Sequence, residues 1–542
     1  LLDPHKHSDQ DGRLTARRLF STCFLLIPLA FGLLGATWGM DANWDLRNYH
    51  YYNAYAFLTG RIGWDLLVSQ IPTFFNPTID IPYYLLAQHL PARALGFILG
   101  AVQGLNFIPL ALLADRILVI ERPLQRASLA CLIGLVGVTG AGTLSETGTV
   151  FYDTVVSLGV FASALTIISR WPLLVAGPLG QAAITALVAG LPVGLGFGLK
   201  QPTVVFAIGL CGAMLTVPGS SLRRFTLAFG FGIGVLTGLA AAGGHWMWHL
   251  WDQFRNPLFP FFNHVFQSVW ALPLPYRDPA YLSDSLIERL TLLFEFSFNS
   301  RKAAEIDITD YRVMAAILAM GCAAIWCAVS SRRTFPILVR RGPAIYLMVA
   351  GLLSYAVWLW LFCIYRYLIP LEMLAPLLFA SALGLLPVSV HRRLVAIFAG
   401  LLVLAASTRT DDWIRVPFED KPVAVEIPAI DAPASTIVLL AGHEPLSFLI
   451  PSFPPEMRFL RIDSTFTNWK EQGNAFNPLM RAIVDQHAGA LAVLFISTER
   501  NDVIEKLEEY RLAIDQAQCS PVTSPIGAAP YAYCRLVRLA AP

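Results

Sequence analysis

LFSTCFLLIPLAFGLLGATWG (Leu19–Gly39) runs almost directly into DANWDLRNYHYYNAYAFLTGR (Asp41–Arg61). The first stretch is apolar and long enough to cross about 30 Å of hydrocarbon. The second places Asp45, Arg47, His50 and a run of tyrosines within about two helical turns, an expensive composition beside lipid unless something is bound there. His5, Lys6, Arg13, Arg17 and Arg18 precede the apolar run, and positive charge ahead of a first span puts the N-terminus in the cytoplasm. A cleaved signal peptide has a shorter apolar core and a small-residue cleavage site, so an uncleaved first helix is expected. Asp41–Arg61 is then expected to face outward.

The rest of the chain repeats this arrangement. Of 542 residues 56% are hydrophobic and 14% charged, with a mean hydropathy of +0.57, which is a polytopic membrane protein and not a soluble globule. With a net charge of only +2, nothing suggests nucleic-acid binding, and no nucleic-acid partner is expected. Apolar runs follow at 94–118, 127–144, 153–169, 179–199, 203–217, 225–244, 311–330, 343–363, 367–386 and 394–407, which with the first gives about eleven transmembrane helices. Alternate turns between them are basic, carrying Arg116, Arg122, Arg126, Arg170, Arg223, Arg224, Arg332, Arg333, Arg340, Arg341, Arg392 and Arg393, as cytoplasmic turns are. The Gly- and Pro-rich stretch Gly190–Pro202 reads either as the continuous end of its span or as a broken or re-entrant segment. The expected fold is an α-helical membrane domain over residues 1–409, with outer loops at 41–93 and 245–310, followed by a small extracytoplasmic α/β domain at 410–542.

In that last region Thr436–Leu440 and Leu491–Ile496 read as strands, and Phe476–His487 and Asp502–Leu512 as amphipathic helices. Six cysteines lie in apolar runs and read as small buried hydrophobes. Cys519 and Cys534 lie in the polar C-terminal region, and an oxidising compartment would join them in a disulfide worth roughly 3 kcal/mol for a loop of that length.

Polar groups map repeatedly to the outward ends of the spans. Asp45 suits a helix N-cap, but it shares its loop with Asp41, Arg47, His50, Arg61, Asp65 and Asp80. Glu146 and Asp153 lie across a short turn; seven residues apart on a helix they would share a face and suit a divalent cation, and carboxylates so placed otherwise cap helices or pair with a nearby cation. No cofactor is implied beyond that cation, and no metal centre is assigned. His245 and His249 open HWMWHLWDQFRNPLFPFFNHVF with Asp252, Arg255 and Asn256, a composition shared by interfacial aromatic belts and carbohydrate sites. Arg366, between Tyr365 and Tyr367 and ahead of Glu372, suits either snorkelling or phosphate binding, and Lys200 has the same two readings.

The pattern Asp45, Tyr49, Ala56, Leu58, Gly60 after a first span, with PTIDIPYYLL from Pro77, resembles the first periplasmic loop of the GT-C glycosyltransferases. These are the polyprenyl-phosphate-sugar enzymes, among them protein O-mannosyltransferases and lipid A aminoarabinose transferases. SETGTVFYD (Ser145–Asp153), GLGFGLKQP around Lys200, NPLFPFFN (Asn256–Asn263) and YRYLIPLE (Tyr365–Glu372) extend the likeness over most of the membrane part. Leu46 stands where that family often has the second residue of an Asp-Glu pair.

The resemblance implies a bacterial inner-membrane enzyme with a periplasmic C-terminal domain. It would transfer a hexose or pentose from a polyprenyl-phosphate donor to the hydroxyl of a lipid, glycan or protein acceptor. Asp45 is the expected general base of an inverting displacement, with Asp41, Glu146 and Asp153 as acidic support. Arg366 and Lys200 are expected on the donor phosphate, with Arg255 and His245 as helpers. His50, Tyr49, Asn256, Tyr365 and Glu372 are the expected substrate contacts. From other classes, a transporter or flippase of lipid-linked sugars would show internal repeats and ionisable groups at mid-membrane, and an O-antigen-ligase-like transferase would need more arginines around a diphosphate donor.

Overall fold

The computed structural model describes residues 4–278, 280–283, 285–329, 336, 338–464, 466, 473–527 and 529–540. Ser330, Arg332 and Arg333 lie outside the described residues, as do the side chains of His5, Lys6 and Cys327. The chain packs as two compact units, each assembled from three separated segments. The first comprises Leu1–Gly35, Phe97–Gly244 and Asp278–Trp413; the second comprises Ala36–Gly96, His245–Arg277 and Ile414–Pro542.

Among the described residues, seven helices are long and apolar enough to cross a membrane: Asp11–Thr37, Ala92–Ile117, Leu179–Leu199, Ser221–Phe254, Arg341–Leu361, Tyr365–Leu385 and Val390–Ser407. The remaining expected runs coincide with shorter apolar helices of 10–17 residues at Pro123–Val138, Asp153–Ser169, Gln201–Thr216 and Arg312–Trp326. Length and composition therefore support seven spans.

Of the two readings of Gly190–Pro202, the structure has the continuous one. The helix runs unbroken from Leu179 to Leu199 with Pro192 inside it, and a short 3-10 turn at Gln201–Thr203 follows. The glycines serve close packing. A Cβ at Gly190 would meet the Phe231 carbonyl oxygen at 2.3 Å, and one at Gly194 would meet that of Val235 at the same distance, so two backbones approach as only small residues allow.

In the first unit Arg223 donates to the carbonyls of Leu174 and Gly177, and Arg393 to those of Gly384 and Pro336, tying the basic turns together. At the opposite helix ends, the connection between Pro123–Val138 and Asp153–Ser169 is gripped by two buried carboxylates. Glu372, fully buried in the helix Ile369–Leu385, accepts from the backbone N–H of Gly142 (3.0 Å) and Thr143 (2.9 Å), from the Thr143 hydroxyl (2.7 Å) and from the Tyr365 hydroxyl (2.8 Å). It thus caps the short helix Ala141–Ser145 from 230 residues away. Asp310 accepts from the Ala141 N–H at 2.9 Å and from Arg312. The buried Arg312 guanidinium also donates to the carbonyls of Val136 and Thr139 and to the Thr408 hydroxyl. Glu372, Asp310 and Arg312 are buried, so each bond they left unmade would carry a desolvation cost of about 1–3 kcal/mol.

The second unit is built on a five-stranded sheet. A short antiparallel ladder pairs β1 (Met40–Asp41) with β2 (Arg415–Val416). The sheet itself contains β3 (Thr436–Leu440), β4 (Arg458–Arg461), β5 (Ala490–Ile496), β6 (Leu512–Val522) and β7 (Tyr531–Arg538), in the order β4-β3-β5-β7-β6. β3 runs parallel to both β4 and β5, and β7 is antiparallel to β5 and β6. Helices Phe476–Gln486 and Arg500–Glu509 match two of the sequence expectations, but Leu512, read as the end of the second helix, begins β6. Cys519 and Cys534 face one another across β6 and β7 and form a disulfide.

The first loop belongs to this unit. Leu66 bridges to Leu460 and exchanges backbone bonds with Phe459 and Arg461, so it covers the open edge of β4. Arg61 is paired with Asp65 through Nε (2.7 Å) and Nη2 (2.8 Å) and also donates to the carbonyls of Pro455 and Met457, while Asp65 accepts from Phe459 N–H and Tyr52 O–H.

The Glu372 clamp leaves no room for a side chain on the segment it holds. A Cβ at Gly140 would sit 2.1 Å from Glu372 Oε1 and 2.4 Å from its carboxyl carbon. Gly140→Ala is expected to destabilise the detergent-solubilised protein by about 1–3 kcal/mol through overpacking, read as a fall in Tm. Gly180→Ala, where no atom lies within 4 Å of the added carbon, serves as the control and should leave Tm unchanged or slightly raised. Equal Tm values for the two variants would contradict the clamp.

Candidate functional site

Each unit gathers a set of the residues singled out from sequence. In the first unit these lie on the segment that Glu372 and Asp310 hold. Glu146 ends the short helix Ala141–Ser145, the chain turns through Thr147–Tyr152 with Gly148 and Tyr152 in left-handed conformations, and Asp153 opens the next helix. The two acids are therefore not on one helical face, as their spacing suggested; the turn folds back and brings them together.

Glu146 is fully buried and neither carboxyl oxygen receives a hydrogen bond from a donor. Burial drives its pKa well above the usual carboxylate value, and the charge of Asp153 adds to this against the opposing charges of Lys200 and Arg366. Of the two carboxylates, Glu146 is the one whose surroundings favour the neutral form. Asp153 pairs with Lys200, whose Nζ is 2.6 Å from Asp153 Oδ2 and also donates to the Phe151 carbonyl.

Arg366 completes the group. Its guanidinium carbon lies 4.2 Å from the Phe151 ring centroid and 5.3 Å from that of Trp413, with Tyr367 at 5.8 Å. Phe151 and Trp413 pack edge to face, and Trp413 Nε1 donates to the Ser145 hydroxyl at 3.0 Å. Stacking on aromatic faces and recognition of planar or tetrahedral anions by the edge of the fork are both properties of a guanidinium that a lysine does not share. Tyr365 and Glu372, expected as substrate contacts, are both buried and bonded to each other, with Glu372 committed to four donors. Their place is to hold the segment that carries Glu146 and Asp153.

In the second unit the π-helical turn Leu46–His50 carries Tyr49 and His50, with Asp45 at its start. Asp45 has helical backbone angles and makes no capping bond. The cap is Asn43, whose side-chain oxygen accepts from Leu46 N–H at 2.7 Å and whose amide is held by Asp41. Asp45, half-buried, instead accepts from the Tyr49 hydroxyl at 3.2 Å. His50 Nδ1 lies 2.6 Å from Asp80 Oδ1, with both side chains buried. A π-turn widens the helix and leaves carbonyls out of register; those of Arg47 and Asn48 are taken up by the Ser447 hydroxyl, and Arg47 Nη1 is 3.5 Å from Glu444 Oε2. Ser447 and Glu444 follow β3, so sequence order gave no signal of their role.

The other expected residues are set apart from these clusters. His245 is exposed, its Nε2 3.2 Å from the Thr78 hydroxyl. Arg255 is exposed in a left-handed conformation at the end of the helix Ser221–Phe254. Asn256 is fully buried in a local turn, accepting from Leu258 N–H and donating to the Phe261 carbonyl. Among the described residues no group of three or more His, Cys, Asp or Glu is gathered to hold a metal ion.

No protein-family model, no curated protein and no solved structure matches this chain.

The raised pKa of Glu146 gives stability a pH dependence. The folded protein binds the proton more tightly than the unfolded chain, whose glutamate has the ordinary value of 4.5, so the contribution is complete below that value and is lost as pH rises through the elevated folded pKa. Glu146→Gln keeps the neutral shape without the titration. Its Tm relative to the unmodified protein should therefore rise steadily as pH is raised above about 5; parallel curves would show that the Glu146 pKa is not raised by folding.

Proposed function

We propose that the protein is an integral-membrane glycosyltransferase that moves a sugar from a polyprenyl-phosphate donor to an acceptor hydroxyl at the extracytoplasmic face of the membrane. The observation that carries this reading is Arg366, a guanidinium stacked on Phe151 and Trp413 beside the Lys200–Asp153 pair at the ends of apolar helices. A lipid-borne phosphate presents its charge at that depth, and a half-buried, aromatic-backed arginine is suited to receive it. The GT-C likeness of the motifs and eleven spans with a cytoplasmic N-terminus and a periplasmic C-terminal domain belong to the same proposal.

The donor already carries a good leaving group, so the chemistry needs a base for the acceptor and cations for the departing phosphate. In the proposed step the acceptor oxygen attacks the anomeric carbon in line and its proton passes to Asp45. The bond from that carbon to the phosphate oxygen breaks, and polyprenyl phosphate leaves as the anion, neutralised by Arg366. Inversion follows from the single displacement. Asp45 suits the role because it is half-buried, makes no cap bond and is oriented by Tyr49. Asp41 holds the Asn43 cap and supports the turn from behind.

A transporter of lipid-linked sugars is the second reading, and the buried protonatable pair Glu146–Asp153 is the observation in its favour. The two readings separate on product. With the purified protein in vesicles, a panel of polyprenyl-phosphate hexoses and pentoses should yield free polyprenyl phosphate and glycosylated acceptor. Arg366→Ala should weaken binding of polyprenyl phosphate by tenfold or more, about 1.4 kcal/mol. Asp45→Asn should bind it normally and transfer nothing. Movement of intact donor across the vesicle without cleavage would select the transporter.

A further inference from the structure

The helix Leu286–Phe298 was expected to be part of an outer loop, yet it is apolar on two opposite sides. Its inner side buries Leu292, Leu293 and Phe296 in the core of the first unit, where the Phe296 ring meets Trp358 at 6.0 Å and Tyr365 at 5.4 Å between centroids. Its outer side carries Leu286, Ile287, Leu290, Phe294 and Phe298, which are 45–74% exposed. The polar residues lie between and bond locally: Ser285 accepts from Glu288 N–H as the N-cap, Thr291 donates to Glu295, and Lys302 Nζ is 4.0 Å from Glu295.

Thirteen residues make a helix of about 20 Å, too short to cross the hydrocarbon. Its two anchor points are the end of the span Arg341–Leu361 and the start of the span Tyr365–Leu385, which fixes its depth at the boundary where spans end. Trp360 at that boundary is 66% exposed, as interfacial tryptophans are. The outer stripe therefore lies at the level where these spans end, and a five-residue patch of large hydrophobics facing water would be a liability.

We infer that Leu286–Phe298 is an interfacial helix whose outer side is buried in the acyl region of the bilayer, so that the chain at 286–298 lies within the membrane surface and not above it. This conclusion stands apart from the proposed chemistry, because it uses only the packing of the helix and the spans.

The test uses single cysteines in a full-length background with Cys23, Cys131, Cys211, Cys322, Cys327 and Cys363 replaced and the Cys519–Cys534 disulfide retained, reconstituted in phosphatidylethanolamine/phosphatidylglycerol vesicles. Leu290→Cys and Phe294→Cys should react with a soluble maleimide at least tenfold more slowly than Glu288→Cys on the same helix, with full labelling of all three after SDS. Because Glu288→Cys reports folding independently and either outer position is sufficient, loss of one variant does not decide the outcome. Labelling of Leu290→Cys and Phe294→Cys as fast as Glu288→Cys overturns the inference. So does protection that disappears on dilution in detergent together with cross-linking between Leu290→Cys chains, which would place a second copy on this side.

Discussion

Glu372 is a carboxylate inside a helical bundle with no water to solvate it, and the first unit resolves this by bringing backbone to it. Gly142 and Thr143 point their N–H groups at its two oxygens, and the Thr143 and Tyr365 hydroxyls complete its shell. A buried charge with four donors is tolerable where the same charge with one is not. The consequence reaches beyond the residue itself. The segment from Gly140 to Asp153 is fixed at one end by this clamp and by Asp310, and it carries Glu146, Phe151 and Asp153. Its other end is fixed where Lys200 ties Asp153 to the Phe151 carbonyl. Arg366 then lies on rings whose positions are set by this turn, and the electrostatics of the cluster follow from the turn rather than from any single helix.

The second unit solves a similar problem with different parts. Its first loop, Asp41 to Leu66, is not an ornament on a helix but a component of the sheet unit: Leu66 extends the edge at β4, and Arg61 with Asp65 binds the segment Pro455–Phe459. The π-turn that carries Tyr49 and His50 is capped by Asn43 at its start and supported by Ser447 on its displaced carbonyls. A widened turn of this kind is unstable without such support, and proteins retain it mostly where a side chain must be aimed.

Apolar runs and basic turns were readable because both act through composition over many residues. The boundaries of Leu179–Leu199 and Tyr365–Leu385 and the strands at Thr436–Leu440 and Ala490–Ile496 fall close to their expected places. Pairings across long sequence distances were not readable. Nothing in YRYLIPLE announces that Glu372 caps residues 230 positions earlier, and the same side chain read locally suggested a substrate contact. Asp45 looked like a cap because Asp is a good one; Asn43, two residues earlier, is equally good and had the right offset to Leu46. Gly190–Pro202 suggested a break because glycine and proline lower helix propensity, but a facing helix repaid that cost through close approach.

The proposed chemistry asks for a lipid phosphate on Arg366, and this is the claim on which the functional account rests. Its direct test is an experimental structure of the protein in nanodiscs containing polyprenyl phosphate. The account predicts head-group density within ion-pair distance of the Arg366 guanidinium, with the Phe151 and Trp413 rings still beneath it. A head group bound elsewhere with Arg366 uninvolved, or a continuous polar passage through the helices of the first unit, would contradict it.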